Sequence, residues 1–131
     1  MRSWIRRTRQ LRRVSLKRQK LLRKVGPIRD AFRVELAICE RCLRRSPILH
    51  EIARGCTRSQ SLTARFAILG LCDPGCHQIV GEWPRARQLA LVRLRRPNDF
   101  DLEAYWELIR RRSPDLDEVM FWVEKLKEEL P

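Results

Sequence analysis

Cys39-Glu40-Arg41-Cys42 and Cys72-Asp73-Pro74-Gly75-Cys76 set two close thiol pairs about thirty residues apart, and no other feature restricts the fold of this 131-residue chain so tightly. Each pair can bend around one ion with its sulfurs about 2.3 Å from the metal, and two pairs complete a closed tetrahedron, the geometry of a structural Zn²⁺ rather than a catalytic one. The segment between the pairs is too short to order itself by apolar burial, so metal binding would supply the missing folding free energy. Unmetallated core thiols and a redox pair are the alternatives. The second pair has one residue more than the tighter CxxC form, and Pro74-Gly75 supplies its turn. Cys56 is the odd fifth cysteine and reads as a small idle or buried thiol.

Charge narrows the partner. Lysine and arginine number 29 against 16 acidic residues, a net charge of +13, which suits a polyanion. The excess is concentrated in residues 1–37, where Arg6, Arg9, Arg13, Lys17 and Lys20 stand among further basic residues with only Asp30 and Glu35 opposing them. Trp4, Leu11, Val14, Leu21, Leu22 and Val25 recur at near-helical spacing, so this arm is expected to be a basic helix with a narrow apolar stripe, broken at Gly26-Pro27. Phosphate tracking is the leading reading of such an arm; a solvated extension or a targeting presequence are the others. Arg85, Arg87, Arg93, Arg95 and Arg96 are expected to add phosphate contacts.

Residues 38–97 form the second unit. Ile48, Leu49 and Ile52 after Ser46-Pro47, and Ala67 to Leu71, read as short strands. A helix is expected after Cys76, and another from Pro84 to about Leu94. Residues 98–131 turn acidic; Phe100 to Ile109 and Leu116 to Leu130 read as two amphipathic helices forming a hairpin able to dock a protein partner. The fold class is therefore mostly α, with a small zinc-stapled ββα core between a basic helix and a C-terminal helical pair. No run of apolar residues is long enough for a membrane span, and neither a secretory leader nor a glycine-rich phosphate loop is visible, so a cytoplasmic protein is expected.

The middle segment resembles the four-cysteine HNH nucleases, whose ββα-metal fold carries a separate zinc staple. The resemblance covers about residues 38–80 and rests on an order of motifs: Cys39xxCys42, Leu49-His50-Glu51-Ile52, the apolar run Ile68 to Leu71, then Cys72 to Cys76 followed at once by His77. It implies that His50 stands at a metal-ligand position, Glu51 at the position of the histidine general base, and His77 at the final metal ligand. Ala67 falls near the asparagine that orients the base, so both the base histidine and that asparagine are missing here. What the resemblance implies is an endonuclease using Mg²⁺ or Mn²⁺ through His50, Glu51 and His77, on DNA sooner than RNA. A noncatalytic nucleic-acid-binding zinc module, or a docking subunit of a nucleoprotein assembly, is the alternative.

Overall fold

A computed structural model describes residues 2–45, 48–54 and 60–131, with side chains from residue 16 onward. Seven elements are numbered in chain order: α1 (Arg2–Glu35), β1 (Ile48–Glu51), β2 (Ile68–Leu71), α2 (Gly75–Gly81), α3 (Arg85–Arg95), α4 (Leu102–Ile109) and α5 (Leu116–Glu129). The expected fold class is what forms: a mostly helical chain with one two-stranded sheet and a cysteine cluster. Cys56 and the Ser46-Pro47 turn lie outside the described residues.

The expected break at Gly26-Pro27 does not occur. α1 is one helix with Pro27 inside it. Pro27 has no N–H to give to the preceding turn, an absence that ordinarily kinks or ends a helix. Continuation is favoured by anchoring on the far side of the break. Phe32 and Leu36 pack with Leu49 and Ile68, Arg29 donates to the Leu62 carbonyl at 2.8 Å, and Arg29 pairs with Glu51 at 3.1 Å. Helical rise makes α1 about 50 Å long, and its core contacts lie near its C-terminal end.

β1 and β2 pair antiparallel with Ile48 opposite Leu71, Leu49 opposite Gly70, His50 opposite Leu69 and Glu51 opposite Ile68. Directly paired residues share a face and successive ones alternate. Leu49 and Ile68 therefore turn to α1, while Leu69 and Leu71 enter the main core with Leu89 and Val92 of α3. Both faces of this small sheet are covered.

Helix ends follow local chemistry. Pro84 precedes the first residue of α3, Asp101 caps α4 by accepting from the Ala104 amide at 3.0 Å, and Asp115 caps α5 through the Glu118 amide at 2.8 Å. α3 buries Ala86 and the whole run Gln88 to Val92 because it lies between β2 and α5. The two C-terminal helices stand where expected, but α5 finds its main packing partner in α3 rather than in α4. Val119, Val123 and Leu126 thus belong to the same core as Leu69 and Leu71.

Candidate metal centre

Cys39 and Cys42 flank a tight turn that precedes the sheet, while Cys72 follows β2 directly and Cys76 lies in the first turn of α2. β2 places the second pair, and backbone bonds place the first: the Glu40 amide donates to the Gly70 carbonyl at 2.8 Å. The four sulfurs lie within 4.8 Å of one another, and Cys42 Sγ is 3.7 Å from Cys72 Sγ. Regular tetrahedral coordination with sulfurs at about 2.3 Å requires S···S separations of about 3.8 Å, so the set needs little contraction to hold an ion. Cys39 and Cys76 are buried and Cys42 and Cys72 half-buried, so one edge of the tetrahedron faces outward. Among the described residues this is the one group of metal-ligating side chains so gathered.

The electrostatics favour thiolate unevenly. A backbone hydrogen bond from Cys76 leads the causes that hold the Cys72 thiol down to about 7, while burial pushes the Cys76 thiol up to about 12. Arg41 Nη1 lies 3.5 Å from Cys76 Sγ and offers that sulfur a cationic donor. A bound dication would favour the thiolate at every ligand, as metal binding displaces protons from cysteine.

Beside the cluster lies a buried polar clamp. Glu40, between the first two ligands, is 5% exposed. It accepts from the Gly70 amide at 2.8 Å and from Arg96 Nε at 2.6 Å. Arg96 also donates to the Ile68 carbonyl and pairs with Asp99 at 2.8 Å, while Arg95 Nε donates to the Glu40 carbonyl at 2.7 Å. This network ties the first cysteine pair to β2 and to the end of α3. Burial opposes ionisation of Asp99, yet hydrogen bonds from Arg65 and Arg96 outweigh it and hold the carboxyl below the ordinary range. Sequence reading passed over Glu40, whose one signal was an acid set between two cysteines, and expected Arg95 and Arg96 to hold phosphates; both are instead engaged within the protein, with the Glu40 and Pro131 carbonyls and with Glu40, Ile68 and Asp99 respectively, because α3 ends against the first cysteine turn.

His50 and His77 are brought together, with ring centroids 5.1 Å apart in an edge-to-face arrangement. Glu51 is not brought to them. It follows His50 in an extended strand, points to the opposite face, and pairs with Arg29. Gln88 Nε2 donates to the Trp83 carbonyl at 2.9 Å, so its Oε1 is the acceptor 2.8 Å from His50 Nε2. That network assigns the proton of neutral His50 to Nε2 and leaves Nδ1 unprotonated. Burial lowers the His50 pKa, with the Gln88 bond opposing it. His77 Nδ1 lies 3.4 Å from an Asp73 carboxylate oxygen. Ala67 ends the turn leading into β2, is fully buried, and carries no polar group.

The basic residues divide into two groups. Lys17 and Lys20 are exposed on α1, as are Arg18, Arg23 and Lys24. Helical spacing places positions 6, 9 and 13 on the face that carries Lys17 and Lys20; the side chains of Arg6, Arg9 and Arg13 lie outside the described residues. Arg85 is half-buried at the first turn of α3. Arg87 is engaged within the protein: its guanidinium lies 4.1 Å from the Trp83 ring centre and 5.0 Å from that of Trp122, and pairs with Glu129 at 2.5 Å.

No protein-family model matches the chain, and neither a curated protein nor a solved structure matches it. Fold and site define the class: a mostly helical protein whose two-stranded sheet carries a four-cysteine cluster positioned to hold a metal ion. Among the described residues, no helix is long and apolar enough to cross a membrane.

Proposed function

We propose that this chain is a zinc-stapled nucleic-acid-binding protein in which the metal holds the sheet and α2 together and α1 tracks the phosphates of a duplex, DNA before RNA. Zinc is the ion that four thiolates in a closed tetrahedron suit best. The observation that carries the binding reading is the unbroken course of α1. Lys17, Arg18, Lys20, Arg23 and Lys24 are exposed along it and form no ion pair with any described residue. A polyanion is the partner that such a rail of cations suits, with affinity that arises from counterion release and carries no base information.

Anisotropy of a labelled duplex DNA titrated with zinc-loaded protein tests this. Affinity is expected to fall steeply between about 50 and about 200 mM salt, and to collapse when Lys17, Lys20 and Lys24 are all replaced by glutamate. Equal binding by that triple variant would refute the reading. Metal analysis of the same preparation is expected to find zinc, which should disappear when Cys39 and Cys42 become serine.

One observation favours a second reading, the divalent-metal-dependent endonuclease of HNH type. His50 and His77 lie side by side, and among the described residues neither His50 Nδ1 nor His77 Nε2 has a hydrogen-bond partner. Glu51 then acts at a distance from them or not at all, being held by Arg29. Nicking of supercoiled plasmid with Mg²⁺ or Mn²⁺, abolished by His77→Ala with zinc retained, would establish that reading. Intact plasmid beside salt-sensitive binding favours the noncatalytic module.

A further inference from the structure

The turn that carries the first cysteine pair is closed by backbone bonds. Leu43 N–H donates to the Cys39 carbonyl at 2.9 Å, Cys39 N–H donates to the Arg44 carbonyl at 2.6 Å, and Ile38 bridges Arg45. In this turn Cys39, Glu40 and Arg41 face the metal centre and the core. Leu43, Arg44 and Arg45 face outward, all three exposed, and neither arginine forms an ion pair with any described residue.

Leu43 has φ 65°, in the left-handed region, and its side chain is 46% exposed. Glycine or asparagine suits that backbone far better, because a Cβ crowds the following carbonyl there. An exposed leucine at such a position costs stability and gains little burial in return. Strain of this kind on a rigid, metal-anchored turn points to a use for the side chain.

We propose that Leu43-Arg44-Arg45 is a second contact with duplex DNA. It rests on the nucleic-acid reading above and adds a site separate from α1. The two arginines meet phosphates, and Leu43 packs as an apolar wedge against the sugar and base edges of a groove, a use of leucine common in groove contacts. Two exposed arginines with no ion pair among the described residues, beside an apolar tip, match a polyanion with apolar groove walls; an acidic protein surface would match the arginines alone.

The test uses the full zinc-loaded chain and a short labelled duplex DNA, with melting temperature and affinity at several salt concentrations read for each variant. Leu43→Gly is expected to melt higher than the parent yet bind about tenfold more weakly, the effect expected on withdrawing half a leucine side chain from an interface. Its salt slope should be unchanged. Leu43→Ala should bind as weakly without the gain in melting temperature. Replacing Arg44 and Arg45 together by glutamine should reduce the slope of log affinity against log salt by about 2, at about 0.9 for each phosphate that is no longer neutralised. Parental affinity in Leu43→Gly, or an unchanged slope in the arginine variant, overturns the knuckle contact. If the α1 triple variant still weakens binding in that case, the wider reading stands. Absence of salt-sensitive binding by the parent chain overturns both.

Discussion

Glu40→Gln tests how the metal centre is held to the rest of the molecule. The carboxylate is 5% exposed and receives both the Gly70 amide and Arg96 Nε, at 2.8 and 2.6 Å. Breaking one side of a buried ion pair costs about 3 to 5 kcal/mol, because the remaining charge is left without its counterion in a medium that solvates it poorly. Here the lower end applies, since Arg96 keeps Asp99 at 2.8 Å and lies 12% exposed. Glutamine also retains an oxygen for the Gly70 amide, so the cost falls to about 2 kcal/mol; alanine, which strands that amide too, should cost about 3 kcal/mol. For a chain of this size about 3 kcal/mol lowers the melting temperature by roughly 10 °C. Because Glu40 lies between two ligands and the site exists only in the folded chain, the same free energy should appear as weaker zinc binding, about 150-fold for alanine. Denaturation of the zinc-loaded protein and competition with a metal indicator measure the two quantities separately. A melting temperature within a degree of the parent for both variants, with zinc affinity unchanged, would refute the argument.

Three further outcomes follow from the geometry. Removal of metal by a strong chelator should unfold the sheet and the first cysteine turn, seen as collapse of their amide signals in NMR; a metal-free chain that keeps those signals contradicts the stapling role. Arg87→Met should cost about 1 to 2 kcal/mol and alter tryptophan fluorescence, because the guanidinium lies over both the Trp83 and the Trp122 rings, yet leave DNA affinity unchanged; a large drop in affinity would return Arg87 to the phosphate-binding set. The His50 pKa is depressed by burial in the folded state, so its contribution to stability is present above the ordinary histidine value and is lost as pH falls through the folded value. Denaturant midpoints taken from about pH 8 down to about pH 5.5 should fall less for His50→Gln than for the parent, and parallel curves would refute that assignment.

Local patterns carried much of the fold into view. The spacing of the cysteines, the apolar runs at Ile48 and Ile68, and the i, i+3, i+4 stripe from Leu116 are each set by a few neighbouring residues, and all three produced the expected elements. The resemblance put His50 and His77 at positions of one site, and the fold sets their rings 5.1 Å apart.

What the sequence by itself determined, then, was the thiol set, the element types and the sign of the charge, because those depend on backbone periodicity and composition. Only tertiary structure decided that α1 continues through Pro27, since that rests on Phe32 and Arg29 finding the sheet and Glu51. Strand alternation and the placement of helices on both faces of the sheet sent His50 to Gln88 and Glu51 to Arg29, parting two residues adjacent in sequence. The Glu40–Arg96 clamp and the Arg87 stack join residues separated by 56 and 42 positions, the latter embracing one ring from the turn before α3 and one from α5. No short-range pattern encodes such pairings, because burial turns an ordinary acid and an ordinary base into partners only after the chain has closed around them.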